Sequence, residues 1–105
     1  MMRKGFVMSV HNKMEEEYIR RHNPIWPDLK EALLAHGVIS YSIFLDRENG
    51  TLFGYVDCES EAQWQAIAAT PVCQKWWNYM KDIMPSNEDN SPVSRELHEV
   101  FFLEA

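Results

Sequence analysis

Two residues of the first predicted helix carry side chains suited to moving a proton. Tyr18 and His22 are four positions apart, so an α-helix places the phenol and the imidazole on one side, about 6 Å apart along its axis. An imidazole titrates near neutral pH and can act as a general acid or base. Trp26 and Leu29 continue the same side. The spacing predicts that both polar groups reach one small ligand; a core histidine and a boundary tyrosine are the alternative.

A break in this helix distinguishes His22 from an ordinary core histidine. Pro24 and Pro27 lack N–H donors, and Pro24 disfavours helical backbone at Asn23. The helix should therefore kink or stop directly after His22. Carbonyl groups released at that point accept hydrogen bonds and favour the imidazolium form, whereas the nearby Arg20 and Arg21 oppose it. We therefore expect His22 to form a hydrogen bond or to donate a proton.

Tyr41 is a second phenol that could reach the same ligand. It lies in a predicted strand in which Ile39, Ile43 and Leu45 share its orientation. If this face of the sheet meets the helices, Tyr41 points into the same space as His22. Ordinary packing in the core is the alternative for this residue.

Two adjacent tryptophans, Trp76 and Trp77, lie on a later predicted helix. Neighbouring positions on a helix point in different directions, so at least one indole lies away from the centre of the buried stripe. That indole is expected to border a cavity, where it would suit the C–H face of a sugar. The alternative is that both tryptophans simply pack in the core.

Other chemistries lack their sequence signatures. The motifs HExxH, GxxxxGK[ST], GxSxG and GxGxxG do not occur, which argues against zinc hydrolysis, P-loop phosphoryl transfer, an α/β-hydrolase and dinucleotide binding. Cys58 and Cys73 are far from CxxC spacing, so the sequence indicates neither a zinc site nor a redox pair. His11, His36 and His98 are assigned no chemistry. We expect no metal ion and no cofactor.

The elements that must position these residues follow from turn and capping signals. Asn12 and Glu15 have capping-box spacing, Asn49-Gly50 suits a tight hairpin, and Ser60 and Thr70-Pro71 are helix starts. The predicted elements are a strand over Gly5 to His11, a broken helix from Asn12 toward Gly37, strands over Val38 to Asp46 and Thr51 to Cys58, two short helices or one bent helix, a loop over Pro85 to Arg95 and a last strand over Glu96 to Leu103.

The order βαββαβ predicts an α+β, ferredoxin-like fold, in which helices cover one face of a four-stranded antiparallel sheet. Bulky apolar residues point to both faces of the strands, as in Phe6 and Val7 or Ile43 and Phe44. A second sheet from another subunit would cover the outer face, so we predict a homodimer. A two-sided pattern by chance is the alternative.

Composition limits the class of protein and its partners. The chain has 105 residues, of which 46% are hydrophobic and 25% are charged, as expected for one domain over residues 1–105. The formal net charge of -6 disfavours nucleic acid and anionic lipid. No signal or membrane-spanning segment is evident, and two cysteines without a disulfide pattern suit a cytoplasmic location.

Three segments together resemble the L-rhamnose mutarotase family: Tyr18-Ile19-Arg20-Arg21-His22-Asn23-Pro24-Ile25-Trp26-Pro27, Val72-Cys73-Gln74-Lys75-Trp76-Trp77 and Asp89-Asn90-Ser91-Pro92-Val93. The resemblance spans nearly the whole chain. It implies a dimeric α+β barrel and a cofactor-independent isomerase that interconverts the α and β anomers of L-rhamnose. It also implies that His22 is the proton donor, that Tyr18 and Tyr41 contact the sugar, and that Trp76 and Trp77 form the binding wall.

Two other functions are compatible with the sequence. Dimeric α+β barrels also include cofactorless monooxygenases and haem-degrading proteins, because a fold does not fix a function. A non-catalytic module could instead use the tryptophans to hold a ligand without moving a proton. Oxygen uptake or haem binding would favour the first alternative, and sugar binding with unchanged anomer exchange would favour the second.

Overall fold

A computed structural model describes residues 1–105, which form four strands and four helices. Their bounds are β1 (Met2–Ser9), α1 (Glu15–Arg21), α2 (Pro27–Ala35), β2 (Val38–Asp46), β3 (Thr51–Cys58), α3 (Glu61–Ile67), α4 (Pro71–Met80) and β4 (Arg95–Leu97). None of the helices combines the length and the apolar character that crossing a membrane requires. The strands form one antiparallel sheet in the order β2-β3-β1-β4, so the predicted ferredoxin-like α+β class is confirmed.

The helices cover only one face of this sheet, and β3 shows it most clearly. Leu52, Val56 and Cys58 are almost fully buried, whereas Phe53 and Tyr55 between them are exposed. This alternation follows from the two-residue period of a strand with one covered face. The buried core therefore lies between the inner face of the sheet and the helices, where the candidate residues also lie.

Local capping signals place α3 and α4 as predicted. Ser60 Oγ accepts the N–H of Gln63 at 3.1 Å, and Thr70 Oγ1 accepts the N–H of Cys73 at 3.3 Å. Each hydroxyl satisfies one of the N–H groups that a helix start leaves without an intrahelical partner. The two short helices are therefore confirmed.

The predicted start of the first helix is wrong. Instead of a capping box at Asn12, the chain turns there: Lys13 has a φ of +70°, and the N–H of Met14 donates to the carbonyl of His11 at 3.0 Å. The helix begins at Glu15, with Met14 at the cap and no side-chain cap bond. A backbone turn thus takes the place of the predicted side-chain cap.

The predicted break after His22 is confirmed. α1 ends at Arg21, with His22 as its C-cap, and α2 begins at Pro27. Proline at the first helical position costs no hydrogen bond, because the N–H there has no intrahelical partner. The break separates His22 from α2 and leaves it at the end of a two-turn helix.

The two outer boundaries of the sheet differ from the prediction. β1 begins earlier, because Met2 to Lys4 pair with the end of β3. The last strand ends at Leu97 instead of Leu103, since its pairing with β1 stops at Gly5 opposite Leu97. Beyond that point Arg3 holds the chain through side chains. Its guanidinium donates to Glu99 at 3.1 Å and lies 3.4 Å from the centre of the Phe102 ring.

Candidate active site

The structure brings Tyr18 and His22 into direct contact. Their rings stack with centroids 4.3 Å apart and an angle of 29° between the planes. Tyr18 is buried on α1, and His22 follows one turn later as the C-cap of that helix. A separation of four residues on a helix is the geometric reason for the contact.

The hydrogen bonding of His22 fixes which nitrogen faces a ligand. Its Nδ1 lies 2.8 Å from the carbonyl oxygen of Tyr18. A carbonyl oxygen can only accept, so Nδ1 carries the hydrogen. In the neutral ring Nε2 is then an unprotonated acceptor. The bond therefore leaves a base directed away from the helix.

Burial lowers the pKa of His22, and the hydrogen bond to the Tyr18 carbonyl opposes this effect without overcoming it. Removing an imidazolium from water costs more than the released carbonyl returns. The helix end thus favours the imidazolium as predicted, but burial is the larger effect and the net shift is downward. Neutral imidazole predominates at pH 7, which is the form that can accept a proton.

Tyr41 of β2 reaches the same region from the sheet. Burial raises the pKa of both Tyr18 and Tyr41, and the proximity of Tyr18 raises that of Tyr41 further. Both phenols therefore remain protonated and can donate hydrogen bonds. The edge of Tyr41 also packs on Phe6, with ring centroids 6.1 Å apart.

The orientation predicted for β2 is correct for Tyr41, Ile43 and Leu45 but wrong for Ile39. The first three line a cavity with His22, whereas Ile39 is 55% exposed. The register shifts between Val38 and Ser40, so Ile39 is an extra residue in the strand. A bulge of this kind turns the residues before it to the opposite face.

The two tryptophans occupy different positions around the same cavity. Trp76 is buried, and its ring meets His22 edge-on, with centroids 5.1 Å apart and an angle of 87°. Trp26 packs against Trp76 in a similar edge-on contact at 5.0 Å. Trp77 is half-buried, and both Trp76 and Trp77 line the cavity.

The cavity has a volume of about 1020 Å³ and lies between the helices and the inner face of the sheet. All five candidate residues line it: Tyr18, His22, Tyr41, Trp76 and Trp77. The walls are mainly apolar, with a few polar groups, as in small-molecule sites. The arrangement therefore combines a base, two phenol donors and aromatic surfaces around one space.

The polar atoms of this cluster are free to bind a ligand. Every fully buried side-chain nitrogen and oxygen has a hydrogen-bond partner. The hydroxyl groups of Tyr18 and Tyr41 and Nε2 of His22 have no such partner within the protein. These three atoms are therefore not fully buried, and a ligand in the cavity can reach them. A ligand with several hydroxyl groups could satisfy them.

A loop whose role could not be predicted from the sequence forms another wall of the cavity. Asn87, Ser91, Pro92 and Ser94 line the cavity. The N–H of Asn87 donates to the carbonyl of Ser91 at 2.8 Å, and Asn90 has a φ of +72°. Asparagine between two prolines is a turn signal that could have identified the loop, but not its position in the fold.

Lys4 is a further polar residue of the cavity that no motif in the sequence identified. It lines the cavity from β1, and its ammonium group contacts Glu61 at 2.7 Å and Glu96 at 3.5 Å. No group of three His, Cys, Asp or Glu side chains is arranged to hold a metal ion.

Comparison with known proteins gives a consistent result. A family model described as L-rhamnose mutarotase matches residues 3–103. The L-rhamnose mutarotase of Pectobacterium carotovorum is 62% identical over 104 residues, which cover 99% of this chain and 100% of that protein. The crystal structure of an L-rhamnose mutarotase from Formosa agariphila has a TM-score of 0.90 and 40% identity, covering 99% and 100% of the two chains.

A more distant structural likeness concerns the fold alone. A putative antibiotic biosynthesis monooxygenase from Bordetella bronchiseptica has a TM-score of 0.70 but only 13% identity, covering 94% of this chain and 96% of that one. Shared architecture at this identity does not carry an activity. It therefore gives no support for an oxygenase function.

Proposed function

The chain belongs to the L-rhamnose mutarotase family, and from this premise we propose that it interconverts the α and β anomers of L-rhamnose in the cavity described above. It is then an isomerase that needs no cofactor. The observation that carries this proposal is the position of His22. Its Nε2 faces the cavity without a protein partner, while Nδ1 is bound to the Tyr18 carbonyl.

The reaction requires one proton to leave the sugar and one to return. Nε2 of His22 accepts the proton of the anomeric hydroxyl, a C=O bond forms at C1, and the bond from C1 to the ring oxygen breaks. The imidazolium then donates its proton to that oxygen, so His22 is the proton donor of the opening step. The aldehyde rotates about the C1–C2 bond and closes on either face by the reverse sequence.

The other candidate residues hold the sugar and stabilise the charge that develops on its oxygens. Tyr18 and Tyr41 stay protonated, because burial raises the pKa of each phenol, so each can donate a hydrogen bond to a sugar oxygen. Trp76 and Trp77 provide apolar surfaces for the C–H groups and the methyl group. Holding the ring in this way places the anomeric hydroxyl next to His22.

The proposed activity predicts faster exchange between anomers in an equilibrated solution of L-rhamnose. Saturation-transfer NMR on the two anomeric protons should give an exchange rate that rises in proportion to protein concentration, because each protein molecule adds catalysed turnovers. A positioned acid–base group typically accelerates such a reaction by about 10²–10⁴-fold. Methyl α-L-rhamnoside is the control, since its blocked anomeric oxygen cannot lose a proton. An unchanged exchange rate, with L-rhamnose still bound, would replace this proposal by a non-catalytic binding module.

We also propose that the protein acts as a homodimer that joins the outer faces of two sheets. Val7, Phe53 and Phe44 are opposite one another on three neighbouring strands. Phe53 and Phe44 are 42% and 66% exposed, so they continue an apolar row on the uncovered face. A second copy of this face would remove the row from water.

The dimer predicts a mass in solution of twice 12.4 kDa, measured by light scattering after gel filtration. Phe44→Glu should yield the monomer, because it would bury a charge within the interface. Leu34→Glu is the matched control, since Leu34 is similarly exposed, at 57%, but lies on α2. A wild-type mass of one chain would contradict the dimer.

Two further expectations complete the proposal. Helices and sheet share their core, which supports one domain over residues 1–105. Cys58 and Cys73 are buried free thiols, the state that a reducing compartment maintains, so we propose a cytoplasmic location.

A further inference from the structure

Arg21 directly precedes His22 and joins the ends of two helices. Its side chain is only 9% exposed. Within α1 its Nε donates to Glu17 at 2.8 Å. The guanidinium also reaches the end of α4. There Nη1 donates to the Tyr79 carbonyl at 2.7 Å and to the Asp82 carboxylate at 2.9 Å, and Nη2 donates to the same carboxylate at 3.2 Å. The guanidinium also lies over the Tyr79 ring at 4.4 Å.

These bonds lie next to the contact between the two helices at the active site. His22 is one residue after Arg21, and Trp76 is three residues before Tyr79, so one turn of α4 separates the Arg21 bonds from the indole. The His22 and Trp76 rings meet at 5.1 Å between centroids. A shift of the α1 terminus relative to α4 would therefore change this contact directly.

We propose that Arg21 is a positioning residue for the mutarotase reaction, which holds the end of α1 against α4 and thereby fixes His22 beside Trp76. This inference rests on the proposed function. Arg21 does not line the cavity, so it acts through His22 and not on the sugar.

The chemistry of the bonds explains why arginine suits this position. The planar guanidinium supplies donors in a fixed arrangement, which here serve two carboxylates and a carbonyl at once. Arg20 and Arg21 lower the pKa of Glu17 to about 2, and Arg21 lowers that of Asp82. Both carboxylates therefore stay charged throughout the range in which His22 titrates. A lysine, with a single ammonium group, cannot reproduce this pattern.

The titration of His22 reports whether Arg21 acts by positioning. Two causes determine the shift of its pKa, burial and the hydrogen bond to the Tyr18 carbonyl, and no charged side chain is among them. Loss of the Arg21 cation beside His22 and exposure of His22 to water would both raise this pKa toward its ordinary value of about 6.5. Asp82→Ala separates the two effects, because removing a carboxylate lowers the pKa of a nearby imidazole, whereas loosening of α1 raises it.

Arg21→Met tests this role, because methionine keeps an unbranched apolar stem and removes all donors. We expect kcat for anomer exchange to fall about ten- to a hundredfold with little change in KM, as displacing a reacting group by about 1 Å can cost 10²-fold. The pKa of His22 should rise; it is measured by NMR from the chemical shift of the Cε1 proton, which is assigned by its absence in His22→Gln.

Arg20→Met is the matched control: Arg20 also donates to Glu17 and interacts with the side chain of Tyr79, but it forms no bond with Asp82 or the Tyr79 carbonyl.

Three results would overturn the role of Arg21: an unchanged kcat, a reduced kcat with an unchanged His22 titration, or the same changes in Arg20→Met. If Arg21→Met does not fold, Asp82→Ala decides by the same criteria, since Asp82 is largely exposed and accepts two of the four bonds. Lack of exchange activity in the wild type would refute the proposed function. The His22 titration would still decide whether Arg21 controls the burial of the imidazole.

Discussion

Replacing His22 by glutamine should lower kcat for anomer exchange by about 10²- to 10⁴-fold, the usual contribution of a positioned acid–base group. Glutamine preserves a polar side chain of similar size but cannot accept and return a proton near neutral pH. Saturation-transfer NMR measures the loss directly. Circular dichroism should show an intact fold, because glutamine keeps a polar side chain of similar size at the end of α1.

His36 provides a matched control within the same chain. It caps α2, and its Nδ1 contacts the Ala32 carbonyl at 2.8 Å, four residues earlier, just as His22 contacts the Tyr18 carbonyl. His36 does not line the cavity. His36→Gln should therefore retain kcat. Equal activity of the two variants would show that His22 has no role in the chemistry.

The pH dependence follows from the direction of the shift in the pKa of His22. In the proposed mechanism the working form is the neutral imidazole, and burial lowers the pKa of His22 below 6.5. The activity of the wild type should therefore persist as pH falls through 6.5 and decline only at the lower pKa of the folded protein. The rate of anomer exchange with the His22→Gln variant, after subtraction of the uncatalysed rate in buffer, should not show this decline at low pH.

The same shift affects stability. The unfolded chain takes up a proton at His22 near pH 6.5, whereas the folded chain does so only at lower pH. The free energy of unfolding therefore falls as pH decreases from the unfolded pKa to the folded one, where the unfolded state binds more protons. His22→Gln should remove this part of the pH dependence.

Elements set by local signals could be predicted from the sequence. Ser60 and Thr70 mark α3 and α4 because each hydroxyl meets an N–H group three residues away. Gly50 has a φ of +73° in the connection between β2 and β3, the conformation for which glycine is suited. In these cases the residues that decide the structure are neighbours in the chain.

Elements that depend on distant contacts could not be predicted in the same way. The residues after Leu97 have the composition of a strand, yet Arg3, far away in the sequence, binds Glu99 and Phe102 outside the ladder. The bulge at Ile39 likewise depends on how β2 pairs with β3. Composition alone contains neither piece of information.

In the candidate site, too, features set by residues close in sequence could be predicted, and features set by tertiary contacts could not. Helical spacing predicts the contact between Tyr18 and His22, because both lie within one turn. The position of Tyr41 required the sheet to present one particular face to the helices. Opposing effects decide the protonation of His22, since the helix end and burial act in opposite directions and only the structure shows that burial is larger. The loop around Asn87 reaches the cavity solely through tertiary packing.

Trp76→Ala should reduce both stability and sugar binding. Trp76 is only 9% exposed, so removal of its indole should lower the free energy of unfolding by about 3–5 kcal/mol, as for other large-to-small changes in a core. It also removes a wall of the cavity and the ring that supports His22. Aromatic contacts contribute about 0.5–1.5 kcal/mol, so KM for L-rhamnose should rise roughly two- to tenfold, with a fall in kcat as His22 loses its support.

Trp26→Ala separates the two effects of Trp76, because Trp26 packs edge-on against Trp76 but does not line the cavity. Chemical denaturation should show a loss of stability in both variants. Exchange kinetics, measured where both are folded, should show the larger rise in KM for Trp76→Ala alone. If the two variants raise KM equally, general loosening of the core and not a missing wall explains the loss of binding. If Trp76→Ala leaves KM unchanged, the sugar does not contact this indole.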